Sequence, residues 1–204
     1  MKASNLRINM TGSEISEEWS AASASWANFV REGKDYFREE MNKPGFFTVV
    51  GDVKGKRVLD LACGEGSYAR ILTRMGAKVV GVDLSPKMIE LAKQMETVEK
   101  LGIEYHVSDA MDLGKFAGDK FDVVTCFMAL MGIEYYREAV AEVAKVLKSG
   151  RYFIFCITHP RFEGGECLDR EPLVHWVYAE GTEGTQGENA LHLEITAYFQ
   201  PRQV

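Results

Sequence analysis

From residue 57 onward, the chain alternates short runs of apolar, largely β-branched residues with longer stretches in which apolar residues recur every three or four positions. Short apolar runs predict buried strands, and the longer spacing predicts amphipathic helices. Strands that alternate with helices form a parallel sheet that has helices on both faces. The predicted strands are residues 57–62, 78–83, 103–107, 121–127 and 152–158.

Helices are predicted between these strands, beginning near Gly66, Ser85 and Glu134. Ser85 is a favourable N-cap because its side chain can accept a hydrogen bond from a free backbone N–H, and Pro86 already has the φ angle of a first helical residue. The helix that begins near Glu134 is expected to end at Gly150, since glycine readily adopts the left-handed conformation that ends helices.

Two further helices are predicted before the sheet. Apolar residues at three- and four-residue steps indicate an amphipathic helix over residues 14–31, and a short helix that carries Tyr36 is expected to end before Pro44. In a doubly wound fold, an N-terminal segment can lie across the ligand crevice. Residues 1–54 are therefore interpreted as a helical lid, with ordinary packing of the aromatic residues as the alternative.

After residue 158 the alternation of strand and helix patterns ends. An apolar run is followed by a glycine-rich stretch and then by a segment of nearly strict alternation, a pattern that predicts a β-hairpin. The whole chain is interpreted as one domain. Its parts are a lid over residues 1–54, a ligand-binding core over 55–158, and a loop and hairpin over 159–204 near the substrate side.

Composition excludes several classes of protein. A chain of 204 residues with 46% hydrophobic residues buries one sizeable core. The protein has a net charge of −6 and scattered basic residues, so nucleic acid is not an expected partner. The sequence has neither a signal-peptide core nor the roughly 20 apolar residues that cross a bilayer, so a cytoplasmic protein is expected. The four cysteines and four histidines lack metal-ligand spacing, so no metal site is predicted.

Three carboxylates and a glycine turn are predicted to meet at one edge of the sheet. Asp60, Asp83 and Asp109 end or follow the first three strands, and Gly64 and Gly66 form the turn into the first helix of the core. Ligands of open parallel sheets bind at the carboxyl ends of the strands. Glycines permit close approach of the backbone, and free N–H groups at a helix start attract a negative group. Asp83 can accept both hydroxyls of a ribose.

Two ribose-containing ligands fit this arrangement. The stretch GEGSYA, residues 64–69, matches the G-x-G-x-x-G/A pattern of NAD-binding proteins. Asp60 distinguishes NAD from S-adenosylmethionine, because a carboxylate beside the turn repels the pyrophosphate of NAD and attracts an ammonium or sulfonium group. S-adenosylmethionine carries ribose, carboxylate, ammonium and sulfonium together, and Asp109 is placed to accept from its adenine amino group. This cofactor is favoured, and NAD is the alternative.

Four stretches resemble, in order and spacing, the successive motifs of class I S-adenosylmethionine-dependent methyltransferases, particularly the small-molecule, ubiquinone-biosynthesis-like group. They are VLDLACGEGSYAR, VVGVDLSPKMIELAK, IEYHVSDAMDL and the long segment that runs from FDVVTCF to ITHP. The resemblance implies a Rossmann-like doubly wound α/β fold with strand order 3-2-1-4-5. It also implies transfer of a methyl group to a small-molecule acceptor, with S-adenosylhomocysteine as the product.

The resemblance also implies which residues contact the cofactor. They are Asp60, Cys63, Gly64 and Gly66 at the methionine part, Asp83 and Leu84 at the ribose, Asp109 and Ala110 at the adenine, and Phe127 at the end of the fourth strand. The first glycine of the family turn is Ala62 here, a small change that is expected to be tolerated.

The sequence specifies the residues that bind the methyl acceptor less clearly than those that bind the cofactor. Transfer from a sulfonium is an in-line displacement in which the protein mainly aligns the acceptor and excludes water. His159, in the stretch ITHP, is the candidate general base, with a purely structural histidine as the alternative. Tyr36, Met128 and Met131 are candidate contacts for a partly hydrophobic acceptor, whose identity the sequence does not specify.

The C-terminal part departs from the family pattern. Family members usually add a helix, a sixth strand and an antiparallel seventh strand, whereas only residues 159–204 follow Thr158 here. The chain therefore resembles a shortened member in which those two strands are missing. The fifth strand would then be an open edge, covered by the hairpin or by a second copy of the chain in a homodimer. A protein that binds the cofactor without transferring a methyl group is the alternative function.

Overall fold

A central sheet organises the computed structural model of the protein, which describes residues 10–118, 120–158, 174–183 and 189–197. The strands are β1 (Arg57–Leu61), β2 (Lys78–Asp83), β3 (Glu104–Val107), β4 (Phe121–Phe127), β5 (Leu147–Thr158), β6 (Val174–Glu183) and β7 (Asn189–Ala197). The first five strands are parallel and lie side by side in the order β3-β2-β1-β4-β5. The predicted Rossmann-like core is confirmed.

The C-terminal hairpin extends this sheet. β6 pairs antiparallel with β5, and β7 pairs antiparallel with β6, so the full sheet has seven strands. The N–H and C=O groups of β5 that would otherwise face solvent are therefore paired within the chain. Of the two expected covers for this edge, it is the hairpin that lies there, and β5 is not available to a second copy. The edges of the described sheet are β3 and β7.

Helices cover both faces of the sheet. They are α1 (Gly12–Arg31), α2 (Lys43–Val50), α3 (Ser67–Arg74), α4 (Pro86–Glu99) and α5 (Tyr136–Val146). Neighbouring residues of a strand face opposite sides: Val58 belongs to the buried cluster that contains Leu72 and Ile89, whereas Leu59 belongs to the cluster that contains Val143. The central strands β1, β2 and β4 are thus buried on both faces, as their continuous apolar runs predict.

Two helix starts follow from local capping. In α4, the Ser85 hydroxyl accepts a hydrogen bond from the Met88 N–H at 3.2 Å, and Pro86 is the first helical residue, as predicted. α1 begins slightly earlier than predicted because Thr11 and Glu14 form a capping box. The Thr11 hydroxyl accepts from the Glu14 N–H, and the Glu14 carboxylate accepts from the Thr11 N–H.

Two predicted helix ends are wrong. The helical segment after Tyr36 continues past Pro44, because a π-helical turn over Phe37–Asn42 leads directly into α2. Pro44 lies in the first turn of α2, where a missing N–H costs little. α5 ends well before Gly150, which instead lies inside β5 with φ +67° at a place where the pairing with β4 is irregular.

Three further properties concern the described residues. Cys63, Cys126 and Cys156 are free thiols. No helix in the described part of the chain combines the length and the apolar character needed to span a membrane. Within the same ranges, no three His, Cys, Asp or Glu side chains are grouped as ligands of a metal ion would be.

Candidate functional site

A cavity of about 880 Å³ lies at the carboxyl ends of β1, β2 and β4 and is the candidate functional site. Most of the predicted site residues line it, namely Asp60, Cys63, Gly64, Asp83, Leu84, Asp109, Ala110, Phe127, Met128 and Met131. Two do not: Gly66 is outside the lining, and Tyr36 is 65% exposed. His159 lies outside the described residues.

Thioether and indole side chains form much of the apolar lining. Five methionines take part, Met10, Met88, Met111, Met128 and Met131, together with Trp19 and Trp26 of α1. Met128 has a left-handed backbone, with φ +52°, and its N–H donates to the Cys156 carbonyl at 2.9 Å. Such a conformation is uncommon for a residue other than glycine and is concentrated at functional sites.

The two glycines of the turn serve different purposes. Both have left-handed backbones, with φ +57° at Gly64 and φ +83° at Gly66. Apart from its chain neighbours, a Cβ atom at Gly64 would meet no described atom within 4 Å, so this glycine leaves open space on the cavity side. A Cβ atom at Gly66 would lie 2.8 Å from Cζ of the buried Tyr105 ring. Gly66 therefore accommodates Tyr105, and its contact with the cofactor stays a prediction. Ala62, in the same turn, has φ +54°.

Asp83 connects the end of β2 to the glycine turn. Its Oδ2 accepts a hydrogen bond from the Gly64 N–H at 2.8 Å, and its Oδ1 accepts from the Ser85 N–H at 2.8 Å. Burial raises the pKa of Asp83, and the two N–H donors oppose that rise. The carboxylate therefore sets the position of the turn while its surface faces the cavity.

Asp60 is a deeply buried acid of the cavity, with a relative exposure of 2%. The Thr125 hydroxyl donates to its Oδ1 at 2.9 Å, whereas its Oδ2 has no hydrogen-bond partner among the described residues. Burial and, less strongly, the nearby Asp83 carboxylate raise the pKa of Asp60 to about 7. The Thr125 hydroxyl and, more weakly, the Ala69 N–H and the Arg38 guanidinium favour the charged form. A buried acid with one unpaired oxygen is a group that a cationic ligand would satisfy.

Arg38 is a buried cation on the same wall. It has a relative exposure of 9%, and its Nη2 donates to the Ser67 hydroxyl at 2.8 Å. Its guanidinium carbon lies 4.9 Å from the centre of the Tyr68 ring and 5.8 Å from that of Phe127. Nε of Arg38 lies 3.8 Å from the Glu39 carboxylate but donates no hydrogen bond within the described part of the protein. A buried arginine with a free donor is suited to a carboxylate or phosphate group.

Tyr68 lies beside Arg38 in the cavity wall. Its ring stacks on Phe127 at a centroid distance of 4.0 Å and on Phe47 at 5.5 Å. Its buried hydroxyl also lacks a hydrogen-bond partner among the residues described. Burial raises the pKa of Tyr68, and the neighbouring Arg38 opposes part of that rise, so the hydroxyl is a neutral donor at physiological pH.

Sequence reasoning did not identify Arg38, Tyr68 or Thr125 as site residues. Arg38 precedes Glu39 and Glu40, and such a charged run is typical of a solvated helix face. Only the folding of the π-helical turn against α3 brings Arg38 to the cavity. Thr125 could be identified from the predicted strand order, which places β4 beside β1. The register of these two strands pairs Thr125 with Asp60.

α1 runs along one side of the cavity. A Cβ atom at Gly12, the first residue of α1, would lie 3.8 Å from Asp109 Oδ2. Further along, the Ser16 hydroxyl donates to the Leu84 carbonyl at 3.1 Å, and the hydroxyls of Ser20 and Ser85 lie 2.8 Å apart. The helix therefore contacts, in succession, the residues predicted to bind adenine and ribose.

Comparison with known proteins agrees with this geometry. Residues 59–155 match the family described as a methyltransferase domain. A ubiquinone biosynthesis O-methyltransferase of Coxiella burnetii is 33% identical over 111 residues, which are 54% of this chain and 47% of that protein. The chain thus spans about half the length of the curated relatives it matches.

Solved structures lead to the same family. An S-adenosylmethionine-dependent methyltransferase from Mesorhizobium loti has a TM-score of 0.51 at 31% identity, covering 57% of this chain and 53% of that one. Magnesium protoporphyrin IX methyltransferase from Synechocystis PCC 6803, crystallised with S-adenosylmethionine, has a TM-score of 0.61 over 75% of this chain and 79% of its own; at 21% identity it supports the fold alone. The chain is therefore similar to class I S-adenosylmethionine-dependent methyltransferases in fold and, over residues 59–155, in sequence.

Proposed function

We propose that this protein binds S-adenosylmethionine in the cavity and transfers its methyl group to a small-molecule acceptor. The observation that carries the proposal is a set of three buried polar groups that accept or donate no hydrogen bond in the described part of the chain: Asp60 Oδ2, Arg38 Nε and the Tyr68 hydroxyl. All three residues line the cavity. An amino-acid group carries an ammonium and a carboxylate on one carbon, and it would pair with an acid and a cation arranged in this way.

The remaining contacts would follow the length of the cavity. Gly64 leaves room for the backbone to approach the methionine part, and Asp83 with Leu84 would meet the ribose hydroxyls. Asp109 accepts from the Met111 N–H through Oδ1 at 2.9 Å, which leaves Oδ2 for the adenine amino group. Asp60 also argues against NAD, because its charge would oppose a pyrophosphate beside the turn.

The bound cofactor supplies a methyl group on a sulfonium, which is already activated for displacement. The protein's own residues would exclude water and hold the acceptor in line, a contribution of several orders of magnitude in rate. Met128 and Met131 line the cavity and remain the proposed acceptor contacts, whereas Tyr36 is supported only by its place in the chain. His159 remains the proposed base.

We propose that the N-terminal helical region acts as a lid. The hydrogen bonds of Ser16 and Ser20 to the residues after β2, and the indoles of Trp19 and Trp26 in the lining, support this role for α1. A helix in this place would shield the cofactor from bulk water, which strengthens the electrostatic contacts beneath it.

The test of the proposed function is a calorimetric titration of the purified chain with S-adenosylmethionine, S-adenosylhomocysteine and NAD. We expect saturable binding of the first two ligands and none of NAD at the same concentration. Binding of NAD without S-adenosylhomocysteine would overturn the proposal. Tight binding with no transfer from radiolabelled S-adenosylmethionine to phenols, amines and carbon acids would favour the binding protein that lacks transferase activity.

Affinity for S-adenosylhomocysteine is expected to fall about tenfold for each pH unit below 7, and to level off above it. The reason is that Asp60, with a pKa of about 7, must be ionised to pair with the ammonium group. Binding below pH 7 should therefore release a proton, which calorimetry in buffers of different ionisation enthalpy measures. The pH dependence of the affinity should largely disappear in Asp60→Asn. If it persists in this variant, another acid of the cavity, such as Asp83, is responsible for it.

A further inference from the structure

Glu65, the residue between the two glycines, lines the cavity but has both of its carboxylate oxygens engaged within the protein. Its side chain is 2% exposed. Arg70 of α3 donates from Nη2 to Oε2 at 2.9 Å and from Nη1 to the Glu65 carbonyl at 2.7 Å. Arg31, the last residue of α1, donates to Oε2 from Nε at 3.2 Å and from Nη2 at 3.1 Å. One buried carboxylate is thus shared by two arginines from different helices.

The two arginines are not equivalent. The Arg70 side chain is 7% exposed and also lies 3.5 Å from Glu99, so it belongs to the interior of the protein. The Arg31 side chain is 33% exposed and reaches Glu65 from the end of α1. Removing Arg70 would leave Glu65 with a poorly compensated buried charge, which is strongly destabilising. Removing Arg31 leaves Glu65 paired with Arg70, so the turn keeps its support.

The Arg31–Glu65 pair is the charged attachment of α1 among its described contacts. Elsewhere α1 is held by the neutral hydrogen bonds of Ser16 and Ser20 beside β2 and α4. α1 is therefore attached on one side of the cavity through hydroxyls and at its C-terminal end through an ion pair to the glycine turn. Gly64, the neighbour of Glu65, is the part of that turn that leaves open space toward the cavity.

We propose that Arg31 is a positioning residue that fastens α1 to the glycine turn through Glu65 and so controls how long the cofactor stays bound. The proposal rests on the proposed function, since it takes the cavity to hold S-adenosylmethionine. A ligand that leaves beneath α1 requires the helix to separate from the turn, and that separation breaks the ion pair. Because Arg31 is partly exposed, salt weakens the pair, and dissociation should accelerate as ionic strength rises.

The test measures the dissociation rate of S-adenosylhomocysteine by stopped-flow fluorescence, with Trp19 and Trp26 in the cavity wall as reporters. Arg31→Met should release the ligand about fivefold faster than the wild-type protein, as expected for the loss of one charge-assisted contact. Arg31→Lys keeps the charge with a single donor group and should give an intermediate rate. The salt dependence of dissociation should be weaker in Arg31→Met than in the wild type.

Arg74→Met is the matched control. Arg74 is an exposed arginine at the end of α3 that pairs with Glu99 in the same ionic network but makes no described contact with α1. This variant should release the ligand at the wild-type rate and with the wild-type salt dependence. An increase as large as that of Arg31→Met would show that the network as a whole, rather than the attachment of α1, sets the rate, and would overturn the proposal.

Two outcomes separate this proposal from the proposed function. Wild-type dissociation kinetics in Arg31→Met would overturn the role of Arg31 and leave cofactor binding intact. If the wild-type protein does not bind S-adenosylhomocysteine, the proposed function fails, and hydrogen exchange of the ligand-free protein then decides the role of Arg31. Amides of α1 should exchange faster in Arg31→Met than in the wild type, whereas amides of α4 should exchange at the same rate in both. If the amides of α1 also exchange at the same rate in both proteins, the proposal that Arg31 attaches α1 to the turn is overturned.

Discussion

Asp60→Asn is expected to bind S-adenosylhomocysteine about 100-fold more weakly than the wild-type protein, because it removes the buried charge that we propose pairs with the ammonium group. Asparagine keeps the shape of the side chain and can still accept the hydrogen bond that Thr125 donates at 2.9 Å. The lost affinity therefore reports the charge rather than a change in packing. Calorimetric titration at pH 8, where Asp60 is ionised, measures the difference.

The same variant is expected to be more stable than the wild type when ligand-free at pH 8. A buried acid whose pKa is raised above its unfolded value stabilises the fold at low pH, and this contribution is lost as the pH rises through the folded pKa of about 7. By linkage, ionising Asp60 in the folded protein costs about 4 kcal/mol at pH 8. A buried amide N–H₂ without a partner offsets about 1–3 kcal/mol of that gain. Thermal unfolding from pH 5 to pH 8 should show a smaller loss of stability in Asp60→Asn.

Asp122→Asn is the control for this pair of measurements. Asp122 lies near the start of β4, accepts from the Arg57 N–H and from Lys148 Nζ, and is outside the cavity lining. It should lose stability and keep its affinity, the reverse of Asp60→Asn. If Asp60→Asn loses both stability and affinity, Asp60 is a structural acid and its assignment to the ammonium group is wrong.

Gly66→Ala is expected to destabilise the protein by about 3 kcal/mol, through a left-handed backbone and a contact with a buried ring. The new Cβ would lie 2.8 Å from Cζ of Tyr105, which is 4% exposed and cannot move without disturbing the core. Denaturant unfolding measures the loss. The affinity of the remaining folded protein for the cofactor should change little, because Gly66 does not line the cavity.

Gly64→Ala is the matched variant in the same turn. Its backbone is also left-handed, so a loss of about 1 kcal/mol is expected, but apart from the adjoining residues no described atom lies within 4 Å of the new methyl group. The methyl group would instead occupy space on the cavity side and weaken cofactor binding. If Gly64→Ala binds S-adenosylhomocysteine as the wild type does, Gly64 does not lie against the ligand.

The sequence predicted those parts of the fold that depend on neighbouring residues. Ser85 and Pro86 specify the start of α4 within one turn, and the apolar runs specify strands that are buried on both faces. Pro44 led to a wrong helix end because proline is found both just after a helix and in the first turn of a helix. Which of the two applies here depends on how the preceding π-helical turn packs. Gly150 was misleading for a similar reason, since a left-handed glycine suits a helix end and an irregular strand equally well.

The candidate site was predictable where its residues belong to sequence motifs. Asp60, Asp83 and Asp109 follow strands whose carboxyl ends meet, so their convergence on one cavity could be read from the order of elements. Arg38 belongs to no motif, and its burial depends on contact with Ser67 across 29 positions of the chain. The distinct roles of Gly64 and Gly66 depend on Tyr105, a residue of another strand. Neither could be inferred from spacing.

The methionines of the cavity wall bear on how acceptor choice can change over evolution. An unbranched thioether with three rotatable bonds has no single preferred shape, so a wall built from such side chains adjusts to ligands of different outline. Selection among acceptors would then depend on the rigid elements around the wall, such as the stack of Tyr68 and Phe127. One or two substitutions among the methionines would be enough to shift the range of acceptors, while the charged groups that hold the cofactor stay as they are.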